Sequence, residues 1–100
     1  MSRYVINVLA SRDLNDIADY FSTIDVKSGS EFFSAFNKKC KQLVSFPSSG
    51  KSYASIRPGL RGLPLKGYIV FYRQLDDRGI EILRVVSGRR NLLSIFEEST

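Results

Sequence analysis

The chain has 100 residues, 15 of them basic and 10 acidic, for a net charge of +5 without a single histidine. That length is one ordinary domain, taken here as residues 1–100, with room for one core and little for a deep enclosed pocket. A hydrophobic fraction of 43% excludes a disordered chain, and no apolar run approaches the roughly 20 residues of a membrane span. The first residues alternate like a strand rather than forming a signal peptide. One cysteine, Cys40, does not make the paired set of a small exported domain. Both features predict a cytoplasmic protein.

Tyr4 to Leu9 alternates and is β-branched, which predicts a strand. Ser11 then reads as a helix N-cap, with Asp13 in the first turn. Leu14, Ile17, Ala18 and Phe21 fall three and four apart, with Asp13, Asp16 and Asp19 on the other side. Residues 23–27 read as a polar connection. Ser28 and Glu31 have the spacing of a capping box, opening a second helix with Phe33, Phe36, Cys40, Leu43 and Val44 on one face. Pro47 ends it, and residues 47–59 read as a loop rich in Pro, Ser and Gly. Leu60 to Lys66 is the next predicted strand, on an edge because Pro64 cannot donate to a ladder. Gly67 marks a turn. Tyr68 to Arg73, apolar on both faces, reads as a central strand. Asp76-Asp77-Arg78-Gly79 is a hairpin turn, and Ile80 to Val86 a further strand. Gly88 breaks it, and Arg89 to Phe96 reads as a short last helix with Leu92, Leu93 and Phe96 inward. The predicted class is α+β: a small antiparallel sheet, β-α-α-β-β-β plus that short helix, packed against a helical hairpin.

Without histidine, imidazole general bases and His-dependent triads are absent. A lone cysteine without histidine makes no zinc site, and Cys40, on an apolar helix face, reads as core. Asp76 and Asp77 read as turn residues rather than metal ligands. No metal and no cofactor is expected. The remaining signal is cationic: residues 51–90 carry nine basic and three acidic side chains, a net of +6. Arg57, Arg61, Lys66, Arg73, Arg84, Arg89 and Arg90 lie in or beside the predicted strands. Guanidinium groups grip phosphates and carboxylates bidentately, and so concentrated a field favours a polyanionic or acidic partner. Tyr68 and Tyr72 beside them suit either base stacking or the core. A basic nucleic-acid-binding domain is one reading of this pattern.

Several segments together carry a family resemblance. They are Ile56-Arg57-Pro58-Gly59-Leu60-Arg61-Gly62-Leu63-Pro64, Tyr68-Ile69-Val70-Phe71-Tyr72-Arg73, Gly79-Ile80-Glu81-Ile82-Leu83-Arg84-Val85-Val86 and Gly88-Arg89-Arg90-Asn91-Leu92. In this order they resemble the RelE/ParE toxin superfamily, and more narrowly its ParE branch. Leu9-Ala10 leading into Leu14, Ile17 and Tyr20 resembles its first helix, and Phe46-Pro47 with Gly50 resembles the end of its second. The resemblance implies a bacterial type II toxin silenced by a cognate acidic antitoxin. It implies one of two activities: ParE-like inhibition of DNA gyrase, which is not enzymatic, or RelE-like cleavage of messenger RNA on the ribosome. Under the first, Arg57, Arg61, Arg73, Arg84, Arg89 and Arg90 form or support the surface for target or antitoxin. Under the second, Arg61, Tyr72 and Arg84 are the candidate catalytic residues. Relatives often have His where this chain has Ser87, and Asp where it has Asn91.

Overall fold

The computed structural model describes residues 3–98. Its elements run β1 (Tyr4–Ile6), α1 (Val8–Ile24), α2 (Val26–Ser45), β2 (Lys51–Ser52), β3 (Arg61–Leu65), β4 (Tyr68–Gln74), β5 (Ile80–Ser87) and α3 (Leu92–Glu98).

The first strand is shorter and the first helix longer than predicted. Asn7, not Ser11, is the N-cap: its Oδ1 accepts from the Ala10 N–H at 3.0 Å, and its carbonyl accepts from Ser11 at 2.9 Å. A side-chain cap outweighs the β preference of Val8 that follows it. α1 ends at Asp25, whose N–H donates to the Phe21 carbonyl at 2.8 Å. The same residue opens α2. Its Oδ1 accepts from the Lys27 and Ser28 amides, and its Oδ2 takes the Ser28 hydroxyl at 2.7 Å. The Ser28 hydroxyl and then the Ser28 amide hold the Asp25 carboxyl below its ordinary pKa. The predicted capping box at Ser28 and Glu31 therefore lies inside the helix, one turn late. One residue links the two helices, and they touch closely: a Cβ on Gly29 would stand 2.8 Å from the Phe21 Cβ.

The sheet order is β1-β5-β4-β3-β2. β3, β4 and β5 form the predicted antiparallel meander, but β1 joins β5 in parallel, so the sheet is mixed rather than antiparallel. The predicted loop 47–59 contains β2, which pairs only with Arg61 and Gly62. Pro64 lies beyond that pairing, on the bare side of β3, where a missing N–H costs nothing. Leu65 pairs with Tyr68 across a two-residue turn, with φ of 49° at Lys66 and 87° at Gly67. Positive φ at both positions gives the turn a twist that matches the strands. Between β4 and β5 the register shifts at Phe71/Tyr72, which leaves Leu83 as an extra residue in β5.

Both faces of the sheet are covered. Against the helical hairpin lie Ala10, Ile17, Phe32, Phe36, Cys40 and Leu43 from the helices, with Val70, Tyr72, Ile80, Ile82 and Val85 from the sheet. Of the adjacent Phe32 and Phe33 in α2, Phe32 rather than Phe33 is the fully buried one. On the opposite face, Phe71, Leu83 and Val86 pack with Leu60, Tyr53 and Ile56 of the connecting segment and with Ile95 and Phe96 of α3. In α3 Phe96 is buried and Leu92 partly so, as predicted, and Ile95 joins them; Leu93, predicted inward, is 54% exposed.

Asp13 fastens the hairpin to the sheet. Predicted on the solvent side, it is instead largely enclosed beside β5. Its carboxylate takes the Arg84 Nε at 2.8 Å, the Arg84 NH2 group at 3.0 Å and the Val85 amide at 2.9 Å. Both side chains of this pair are only 13% exposed. Replacing Asp13 by Ala should cost about 2–4 kcal/mol in urea unfolding, because a shielded guanidinium and a strand amide lose their acceptor. A loss below about 0.5 kcal/mol would mean that water replaces the carboxylate freely.

Burial pushes the Cys40 thiol from 9.0 up to about 12. It is also the main cause raising the hydroxyls of Tyr4, Tyr68 and Tyr72 above their usual value. The unfolded chain therefore gives up these protons at lower pH than the folded one. Their contribution is complete below the ordinary thiol value and declines as pH climbs toward the folded values. Denaturation midpoints should be level near pH 8 and fall steadily by about pH 10–11; a flat series across that range would contradict this coupling.

Candidate functional site

The cations predicted to act as one face are distributed by the structure among different tasks. Arg73 pairs with Glu81 across β4 and β5 at 2.7 Å. Arg84 is held by Asp13. Arg57 lies 5.1 Å from the centre of the Phe96 ring and donates to the Phe96 carbonyl at 3.3 Å, so it fastens α3. Arg61 donates to the Gly50 carbonyl at 2.7 Å and to that of Ser48 at 3.4 Å. The second sheet face is no open Arg-bearing surface, since α3 and the connecting segment cover it.

Arg61 and Tyr72 meet at one place, where residues 47–50 are pinned to the sheet. The buried Tyr72 hydroxyl donates to the Pro47 carbonyl at 2.7 Å and accepts from the Gly50 amide at 2.9 Å. Burial raises its pKa, opposed by the Gly50 amide and then by Arg61. A Cβ on Gly50 would stand 2.5 Å from the Tyr72 hydroxyl, so only glycine fits beneath it. Tyr72 is thus core, one of the two alternatives open to it. The Arg84 guanidinium turns elsewhere, to α1. Tyr72→Phe should lower stability by about 1–3 kcal/mol, because the Gly50 amide is left enclosed without an acceptor. An unchanged urea midpoint would show that the segment holds its place without this hydroxyl.

Lys66, Arg89 and Arg90 remain, and the strand register brings them to one end of the sheet. Tyr68 pairs with Ser87, so the turn before β4 and the turn after β5 lie side by side. The Gly88 amide donates to the Gly67 carbonyl at 3.0 Å. All three cationic residues are exposed and have no ion pair among the described residues. Arg89 and Arg90 stand in the turn before α3 rather than in its first residues. The Ser87 Oγ accepts from the Arg89 amide at 3.3 Å and the Ser87 carbonyl from the Arg90 amide at 3.1 Å. Asn91 caps α3, its Oδ1 accepting from the Ser94 amide at 3.4 Å. The two departures, Ser87 and Asn91, thus serve here as neutral turn and cap residues.

Two grooves adjoin this end and the hairpin. One runs between α1 and β5, lined by Asp16, Ile17, Tyr20, Tyr68, Ser87 and Arg90 among others. It sets carboxylates on one wall against a guanidinium on the other. The second crosses the hairpin over Ala18, Phe21, Val26, Gly29 and Phe33 and is nearly all carbon. Beside it Ile24 and Val26 are 62% and 72% exposed. The signal for it was present in residues 23–27, where two branched apolar side chains interrupt a connection read as polar. No group of acidic, histidine or cysteine side chains among the described residues could hold a metal ion, and no described helix is long and apolar enough to cross a membrane.

Residues 4–92 match the family model of the ParE toxin of the type II toxin-antitoxin system, parDE. This chain belongs to the ParE toxin family. It is similar to the Toxin ParE3 of Caulobacter vibrioides, with 31% identity over the whole of both chains. It is also similar to the Toxin ParE1 of Mycobacterium tuberculosis, 25% identical over 91% of this chain and 94% of that one. Among solved structures it resembles a chain of the chromosomal ParDE toxin-antitoxin system from P. aeruginosa. That likeness has a TM-score of 0.68 at 24% identity, over 87% of this chain and 95% of the other. The isolated E. coli RelE toxin shares the fold, with a TM-score of 0.59 at 14% identity over 96% and 92% of the two chains. The ParE assignment makes the chain a type II toxin with an antitoxin as its counterpart.

Proposed function

We propose that this ParE-family toxin arrests growth by binding DNA gyrase in the cytoplasm, and that an acidic, partly disordered antitoxin neutralises it. The observation that carries the reading is the exposed triad of Lys66, Arg89 and Arg90 on two adjoining turns, in a chain of ParE type. Cations that no neighbour compensates favour an anionic partner surface and speed its approach. The same residues suit a non-enzymatic inhibitor, which needs complementary shape and charge but no proton donor. The three nuclease candidates sit less readily in that role. Tyr72 has its hydroxyl enclosed between two backbone groups, Arg61 is directed at carbonyls and Arg84 at a carboxylate. The antitoxin would lay an amphipathic helix in the carbon-lined groove over Phe21, Val26 and Phe33.

Gyrase supercoiling of relaxed plasmid, with purified chain titrated in, tests the target. Supercoiling should fall and return when the acidic partner is added. The double reversal Arg89→Glu with Arg90→Glu should weaken inhibition at least about tenfold, yet change the unfolding free energy measured in urea by no more than about 0.5 kcal/mol. Normal supercoiling at saturating protein, with codon-phased cuts in ribosome-bound messages after induction, would overturn the gyrase reading in favour of the ribosome and its messenger RNA. Retarded migration of any duplex, with neither effect, would leave only a basic nucleic-acid binder.

A further inference from the structure

Four cations reach one end of the sheet from three separate stretches of chain. Lys66 stands in the turn between β3 and β4, and Arg89 and Arg90 in the turn after β5. The hydrogen bond from the Gly88 amide to the Gly67 carbonyl, 3.0 Å, holds these turns together. Lys38 of α2 extends the row: it and Lys66 line one shallow groove with Ser30, Glu31, Ser34 and Ala35. All four cations are exposed and form no ion pair among the described residues. Lys66 also occupies a backbone state that lysine does not favour. Its φ of 49° is left-handed, and the first position of such a turn prefers Asn or Gly. A charged side chain kept in a sparsely populated conformation suggests that the charge is used.

The surface between these charges selects the ligand. Between Lys66 and Arg89 it is the backbone of two glycines, and toward Lys38 it is mostly hydroxyl. Protein interfaces are anchored at their centre by aromatic or large aliphatic side chains. None of the exposed large apolar side chains lines the groove between Lys38 and Lys66. Phosphates need no such anchor, since cations, hydroxyls and amides bind them. A duplex carries one charge about every 1.7 Å of its axis, so a row of cations engages it in many registers. We infer that the row from Lys38 to Arg90 tracks the phosphate backbone of duplex DNA, the DNA on which gyrase acts. The inference rests on the gyrase reading for the source of that duplex, and it names phosphates rather than protein carboxylates as what the cations touch. Two carboxylates bound the row: Glu31 in the Lys38 groove, and Asp16 on the wall opposite Arg90.

Fluorescence anisotropy of a short labelled duplex, with the purified chain titrated in at several salt concentrations, tests it. Four phosphate contacts predict a double-logarithmic slope of about −3.6, so affinity should fall about a hundredfold between about 50 and 200 mM salt. Lys38→Gln with Lys66→Asn should bring the slope to about −1.8, and Asn accepts the left-handed turn. The same pair should weaken inhibition of supercoiling about tenfold. Glu31→Gln should tighten duplex binding about threefold. Arg78→Glu, in the exposed turn at the opposite end of β4, should leave the slope unchanged. An equal loss of slope in Arg78→Glu would show attraction by net charge alone and overturn the row. Gyrase inhibition that survives Lys38→Gln with Lys66→Asn, in a chain that binds no duplex, would overturn the inference and leave the gyrase reading standing. Duplex binding along the row with normal supercoiling would uphold the contact and overturn gyrase as the source of the duplex.

Discussion

The carboxylate of Asp13 is the joint on which the arrangement depends. β1 is three residues long and covers β5 only from Ile80 to Ile82. Past that point β5 would present a bare edge to α1. Asp13 closes it by taking both an arginine fork and the Val85 amide. One side chain thereby replaces a stretch of missing strand and sets the distance between α1 and β5. The groove between them takes its width from that distance, beside the β4–β5 ladder that pairs Tyr68 with Ser87. A charged pair this shielded is a weak source of net stability but a strong constraint on register, because each group is costly without the other.

Most of the architecture was legible in local chemistry. The hairpin, the meander, the edge position of Pro64 and the central place of β4 were readable because each rests on a periodicity or on a residue with few conformations. Elements whose signals compete were harder. Val5-Ile6-Asn7-Val8 reads as strand throughout until Asn7 is recognised as a cap, and Asp25 caps so tightly that no linker remains to be seen. β2 has two residues, too few to carry a pattern. The direction of β1 is a tertiary fact that no single segment encodes.

The candidate site was legible only as a composition. An excess of arginine on the second half was plain, but sequence spacing could not separate arginines that fasten the fold from those left over. Arg57 and Arg61 act on carbonyls and an aromatic ring far along the chain. Arg84 answers a carboxylate 71 residues away. Only contact geometry identifies Arg89, Arg90 and Lys66 as the residual charge. What sorts them is the supply of buried acceptors: where the chain offers an inward oxygen an arginine becomes structural, and where two turns meet solvent it does not.

The hairpin apex has a consequence for how the molecule behaves in water. Tyr20, Ile24 and Val26 stand beside a carbon-lined furrow, with Phe46 and Val8 also largely bare. Apolar surface of this kind is held in solution less by itself than by whatever shields it. An antitoxin seated there, as proposed, would supply colloidal solubility and silencing with one shield. Stripping it away would then leave a chain at once active and adhesive, its free concentration held down by self-association as well as by supply.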